Sequence, residues 1–204
     1  NQNIYNSVEK LKNDFEEKLR IADVYENLKK TANGEIVSDN TKITFERYIM
    51  GSYFEQVLYY ANLRFSKMTG GRYEIVRGES RDKRISAGLE ISVRDNFNNK
   101  ERDISSLSGG ESFQASLALA LGLSDIIQQR NGGIRLDSIF IDEGFGSLDN
   151  DSLASAIETL NDLTGNGNRL VGIISHISEL KNSIGNKIEV VGTKSGSSIK
   201  IITD

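Results

Sequence analysis

Four short segments carry residues that could handle a phosphate, a metal ion and a water molecule. The first is Leu107-Ser108-Gly109-Gly110-Glu111. Ser108 and Glu111 have the spacing of a capping box, which would by itself explain a serine and a glutamate at a helix start. It does not explain two glycines between them. A serine and two glycines at a helix N-terminus expose backbone N–H groups and a hydroxyl, a setting that suits an anion such as phosphate. The second segment is Ile139-Phe140-Ile141-Asp142-Glu143, an apolar run that ends in two adjacent carboxylates. Ligands bind at the C-terminal ends of strands in open α/β sheets. The chemical reading gives Asp142 to a Mg²⁺ ion and Glu143 to an attacking water, which it would orient and deprotonate. Turn or cap residues are the plainer alternative.

The third segment, Ser147-Leu148-Asp149 after Gly144-Phe145-Gly146, reads on its own as a turn followed by a helix cap. The fourth is His176, just beyond Leu170-Val171-Gly172-Ile173-Ile174-Ser175. A histidine at the end of a buried strand, in the same sheet as the acidic pair, could reach a γ-phosphate. Order adds weight to all four, because Asp142 follows Ser108 by 34 residues and all the segments lie within 70.

The elements that must position these residues can be read from hydrophobic spacing. After Leu107 the chain alternates helix and strand. A helix over about 109–129 stops at Asn131-Gly132-Gly133, an apolar strand covers 136–142, a helix covers 151–163, and a second apolar strand covers 169–175. Such strands between helices predict a parallel sheet covered on both faces. Residues 188–191 and 198–202 predict a terminal hairpin around Ser195-Gly196.

Upstream, residues 1 to about 31 are helical in pattern. Val8, Phe15 and Ala22 take one heptad core position, and Ile4, Leu11 and Tyr25 take the other. Lys18 and Lys29 interrupt that seam, so an imperfect coiled-coil strand and an amphipathic core helix both remain open. Asn33-Gly34 breaks the pattern. A second helix over 41–69, with Phe45, Ile49, Phe54, Val57, Leu58, Ala61 and Phe65 on its apolar face, ends at Gly70-Gly71. Strands are expected at 73–77 and 89–93.

Between Arg64 and Asp103 there are 10 basic and 7 acidic residues, in a chain of net charge −4, so positive charge is concentrated in that segment. Arg77, Arg81, Lys83 and Arg84 form its densest cluster, either a solvated face or a patch for nucleic-acid phosphates. Cysteine is absent and histidine occurs once, which excludes disulfides, thiolate zinc sites, cysteine nucleophiles and multi-histidine metal centres. No apolar run approaches the roughly 20 residues that span a bilayer, and a cytoplasmic setting is expected.

The ordered segments resemble the signature, Walker B, D-loop and switch-histidine series of ABC-type ATPases. Their wording is similar to the SbcC branch. This likeness rests on Leu107–Phe113, on Ser116-Leu117-Ala118-Leu119-Ala120-Leu121-Gly122-Leu123-Ser124-Asp125, on Phe140–Asp149 and on Gly172–His176. Phe45-Glu46-Arg47-Tyr48, Ala61-Asn62 and Gly71-Arg72-Tyr73 extend it upstream.

The resemblance implies an α/β fold: the C-terminal lobe of an ABC-type P-loop NTPase half-head, a mixed sheet with flanking helices, over residues 41–204. Residues 1–40 would be the descending coiled-coil arm and its break. It implies an SMC-like ATPase that uses ATP and Mg²⁺, dimerises with a second head around ATP, and partners an SbcD-type nuclease on double-stranded DNA ends and hairpins, with no membrane role. By motif, Ser108 and Gly110 would contact the γ-phosphate held by the opposite head, Gly109 and Glu111 would belong to the same cofactor-binding turn, and Asp142 would serve the metal. Glu143 would be the general base, Asp149 would line the dimer interface and His176 would sense the γ-phosphate.

A P-loop requires Gly, four residues, then Gly-Lys-Ser/Thr, and no window here provides it. Gly192-Thr193-Lys194-Ser195 fails because Thr193 separates glycine from lysine. In the family the Walker A segment lies in an N-terminal lobe, so this chain is expected to be a fragment or one half of a head, with little or no turnover by itself. A chromosome-organising SMC protein or other repair ATPase without a nuclease, a transporter's nucleotide-binding domain and a non-enzymatic signature module are the alternatives.

Overall fold

A computed structural model describes residues 2–35, 43–78, 89–130, 136–167, 169–193 and 196–203. The chain runs α1 (Gln2–Ala32), α2 (Phe45–Met68), β1 (Tyr73–Arg77), β2 (Ile91–Asp95), β3 (Lys100–Asp103), a 3-10 turn (Ile104–Ser106) and α3 (Gly109–Arg130). It continues with β4 (Ser138–Asp142), a second 3-10 turn (Phe145–Ser147), α4 (Asn150–Gly167), β5 (Leu170–Ile174), α5 (Ser178–Ser183), β6 (Lys187–Thr193) and β7 (Gly196–Ile202). Two compact units emerge: residues 1–56 with 76–92, and residues 57–75 with 93–204.

In the first unit, α1 buries none of its residues. Ile4, Val8, Leu11, Phe15 and Tyr25, the expected heptad seam, are all exposed, so the core-helix alternative is not realised among the described residues. The helix ends at Gly34, which takes φ +70°. There the Glu35 N–H reaches the Lys30 carbonyl and the Gly34 N–H reaches that of Thr31, the paired bonds of a Schellman ending.

The second unit holds the core. Val57, Leu58, Ala61, Phe65 and Met68 of α2 are buried, together with Ala115, Leu117, Ala118 and Leu121 of α3 and Leu153, Ala156, Leu160 and Leu163 of α4. Gly122 lets α2 and α3 approach closely: a Cβ there would sit 2.6 Å from the Val57 carbonyl oxygen and 2.8 Å from the Ala61 nitrogen. α2 closes on Gly70 and Gly71, both with positive φ, through the Gly71 N–H to Ser66 and Gly70 N–H to Lys67 bonds of the same ending as α1.

Three strands follow in the order β1-β2-β3, β4 pairs β5, and β6 pairs β7. The β4–β5 pair is parallel, with Ser138 opposite Leu170 and Asp142 opposite Ile174. The expected parallel pairing is therefore present, but the expected burial on both faces is not. Phe140 is 70% exposed, and Leu170 and Ile174 are also exposed, because two strands alone have no layer over their outer face. The terminal hairpin is antiparallel, with Lys187 opposite Ile202 and Thr193 opposite Gly196. Ser195 of its expected turn lies outside the described residues. No described helix is long and apolar enough to cross a membrane.

Candidate nucleotide and metal site

The glycine-rich turn is built by its own side chains. The Ser108 N–H donates to the Glu111 carboxylate at 2.9 Å, and the Glu111 N–H donates to Ser108 Oγ at 3.3 Å. This is the reciprocal capping box anticipated from spacing. Burial raises the Glu111 carboxyl's pKa, yet hydrogen bonds from the Ser108 N–H, the Tyr73 hydroxyl and the Ser108 hydroxyl, with the charge of Arg102, outweigh it and leave the group below its ordinary value.

The two glycines have a packing reason as well. A Cβ on Gly110 would lie 2.9 Å from the Ser147 carbonyl oxygen, and one on Gly109 would lie 3.5 Å from Ser147 Cβ. The turn therefore presses against the segment after β4. Phe113, one turn into α3, meets buried Phe145 edge-on at 4.8 Å between ring centroids. A Cβ on Gly144 would collide with the Phe113 ring at 2.2 Å, and Gly144 holds φ +96°, so glycine is required there twice over.

Asp149 follows this turn and caps α4, accepting from the Ser152 N–H at 2.8 Å. That bond and the Ser152 hydroxyl lower its carboxyl below the ordinary value, against a smaller upward push from burial. Ser108, Gly110, Glu111 and Asp149 line one cleft of about 400 Å³, joined by Ser147, Ser152 and Ser155 and, on its far wall, by Gly70, Arg72 and Tyr73.

Asp142, Glu143 and His176 are gathered elsewhere, at the C-terminal ends of β4 and β5. Asp142 closes β4 with its side chain exposed. Glu143 continues the pairing through its N–H to the Ile174 carbonyl at 2.9 Å. Its backbone then turns left-handed, at φ +59°. His176, two residues past β5, places Nδ1 3.1 Å from the Glu143 carboxylate. An ionised carboxylate only accepts hydrogen bonds, so in a hydrogen bond between the two Nδ1 is the donor, and Nε2 is left facing away from Glu143. Two adjacent exposed carboxylates fit a hard dication that keeps much of its water, as Mg²⁺ does. Among the described residues there is no cluster of three or more metal-ligating side chains.

Of the proposed nucleic-acid contacts, Arg77 is described and pairs with Glu55 at 2.6 Å, while Arg81, Lys83 and Arg84 lie outside the described residues. Other cations of the basic stretch are paired: Lys67 with Glu158 and Asp162, Arg72 with Asp95, and Arg94 with Glu74 and Glu101. Sequence reasoning missed Tyr73, Arg102 and Gln114, which brace the glycine-rich turn. Their partners lie 29 to 46 residues away for Arg102–Tyr73 and Gln114–Met68, beyond the reach of local spacing.

A family model described as SbcC/RAD50-like, Walker B motif, matches residues 79–162. The chain is 49% identical over 173 residues to the SbcC component of the SbcCD nuclease of Vibrio cholerae, and 46% identical over 194 residues to that of Staphylococcus epidermidis. It belongs to the SbcC/RAD50-like family. The two alignments take in 84% and 95% of this chain, but only 17% and 19% of those proteins, so the SbcC-like chain spans less than a fifth of the length of these curated relatives. Among solved structures it is similar to an SMC ATPase studied for ATP-driven dimerization and DNA-stimulated activation (TM-score 0.60, 15% identity, 77% of this chain and 89% of that one). It is also similar to an SMC head bound to the C-terminal winged-helix domain of ScpA (TM-score 0.58, 18% identity, 80% and 48%). The SbcC-like chain thus has the fold of an SMC-type ATPase head, the ABC-type half-head expected from its motifs.

Proposed function

We propose that this chain is the signature-bearing C-terminal lobe of an SbcC-type ATPase head, and that it serves two nucleotides with two separate groups of residues. The observation that carries the reading is the division of the motifs. Ser108, Gly110 and Asp149 border one cleft, while Glu143 and His176 meet at the ends of a parallel strand pair. A lobe acting on a single nucleotide would have no reason to keep them apart.

In this reading Asp142 holds the metal of the head's own nucleotide, and Glu143 orients and deprotonates water. His176, fixed by Glu143 through Nδ1, presents Nε2 to the γ-phosphate. A divalent ion held there would supply charge neutralisation at the phosphate oxygens. Ser108, with the N–H groups of Gly109 and Gly110, contacts the γ-phosphate of ATP held by a second head, and Asp149 lines the contact between heads. A Walker A lobe completes the site. Residues 1–40 act as the descending coiled-coil arm, residues 41–204 act as the lobe, and an SbcD-type nuclease works on double-stranded DNA under control of the ATP cycle. Arg77, Arg81, Lys83 and Arg84 are the proposed DNA contacts, to be tested by reversing their charge and measuring the salt dependence of binding.

The test is ATP turnover by this chain alone and after co-folding with a lobe carrying the Walker A motif, each with and without Glu143→Gln. Turnover is expected only in the mixture, and the substitution should abolish it. Turnover by the chain alone, or turnover that survives Glu143→Gln, would overturn the assignment.

A further inference from the structure

A capping box needs only its serine and its glutamate, yet a third residue is bound into this one. Tyr73, the first residue of β1, is 2% exposed. Its hydroxyl accepts from Arg102 Nη2 at 3.2 Å, and it lines the same cleft as Glu111, whose carboxylate it helps to hold ionised. Arg102 Nη1 donates in turn to the Ser106 carbonyl at 2.9 Å. One phenol is therefore tied through Arg102 to Ser106 in the segment entering the glycine-rich turn, and it shares a cleft with Glu111 of the helix leaving it. Ser108 lies between these two points.

The phenol is a firm anchor. Its ring stacks on Phe65 at 6.3 Å and 20° between planes, and the Arg72 guanidinium lies 4.6 Å above it. Two residues on, Ile75 is clamped to α2 by the Asn62 side-chain amide, which donates to its carbonyl at 2.7 Å and accepts from its N–H at 2.8 Å. A second tie joins the same region to α3, from buried Gln114 Nε2 to the Met68 carbonyl at 3.2 Å. A glutamate free to choose among rotamers would hold the Ser108 N–H only part of the time. A buried hydroxyl beside it narrows that choice toward the rotamer that keeps the Ser108 N–H and hydroxyl in a fixed direction.

We propose that Tyr73, oriented by Arg102, is a positioning residue that fixes Ser108 of the signature turn for contact with the phosphate held by a second head. This rests on the proposed role of Ser108.

The test uses the full-length ATPase. Tyr73→Phe keeps the ring, its stacking and its place beneath Arg72, and removes only the hydroxyl. The expected result is a fall in kcat of about tenfold, the factor that about 1.4 kcal/mol represents. Nucleotide affinity of dilute, monomeric heads should stay unchanged, because Ser108 does not touch the nucleotide of its own head. Hydrogen exchange at the Ser108 amide should speed up by a similar factor, while the amide of Ile75 keeps its wild-type rate. Either kcat or Ser108 exchange staying within about twofold of wild type would overturn the inference, as would affinity falling in step with kcat. If Tyr73→Phe does not fold, Arg102→Ala, which removes the hydrogen bond to the phenol, takes the same measurements. Glu143→Gln, run in parallel, separates the two claims. Turnover that survives it sinks the functional reading itself, while turnover lost to it with Tyr73→Phe silent sinks only this inference.

Discussion

His176 and Glu143, 33 residues apart in sequence, bring an imidazole nitrogen to 3.1 Å from a carboxylate at the mouth of the parallel strand pair. Each side chain limits the directions open to the other. His176→Ala should therefore cost more than a phosphate contact, because Glu143 would lose its only orienting side-chain hydrogen bond among the described residues. On the proposed role of Glu143, single-turnover hydrolysis in the assembled head should slow by about two orders of magnitude, the scale of a misplaced general base, with ATP binding retained.

Gly144→Ala asks a Cβ to occupy space held by the Phe113 ring, at a φ that side chains rarely adopt. The lobe should lose about 2 kcal/mol or more, read as a shift in the midpoint of denaturant unfolding. Pairing it with Phe113→Ala should recover the steric part of the loss and leave the backbone part.

Asp125 on α3 joins two arginines from different elements, Arg64 Nη2 at 2.8 Å and Arg169 Nη2 at 3.0 Å, with all three side chains less than a fifth exposed. Arg169 Nη1 is buried with no hydrogen-bond partner among the described residues, and one carboxylate faces two guanidinium charges. Asp125→Asn would leave two guanidinium groups side by side, and should destabilise the lobe by about 3 kcal/mol. Replacing Asp125 and Arg169 together should be milder than the single change, as a double-mutant cycle would reveal.

Glu111 sets a pH dependence of definite sign. Its folded pKa lies below the ordinary value of 4.5, so the stability it contributes is complete above that value and drains away as pH falls through it toward the folded one. Glu111→Gln can keep the capping geometry and removes the titration. Unfolding midpoints of wild type and variant should differ most at neutral pH and converge in acid. A gap that widened in acid would contradict the hydrogen bonds assigned to this carboxylate.

Much of this architecture is legible in the sequence, for identifiable reasons. The apolar run ending at Asp142 and the Ser108–Glu111 spacing are local patterns, and both β4 and the capping box form as expected. β3 has no such signal: Lys100-Glu101-Arg102-Asp103 carries no apolar alternation, and its strand is held in part by partners such as Glu101 with Arg94. The reach of α2 to Met68 is marked by Gly70-Gly71, whereas the service its last turns give to the signature turn depends on Gln114 and Tyr73, which no spacing rule connects. Basic residues clustered in sequence suggest a patch, yet in the fold most of the described ones face acidic partners.

Glu143 has a backbone that glycine would suit better, since φ +59° is a conformation most side chains occupy at a cost of about 1 kcal/mol. Glycine already follows at position 144, so the chain could have relaxed this corner by a single substitution. Under the proposed role of Glu143 as the base, selection for reactivity and selection for robustness pull this position in opposite directions. Glu143→Gly should yield a lobe that melts higher than wild type and turns over nothing. A carboxylate kept where glycine would be more comfortable is a debt carried by the native state, and on the proposed role of Glu143 this corner is where durability gives way to chemistry.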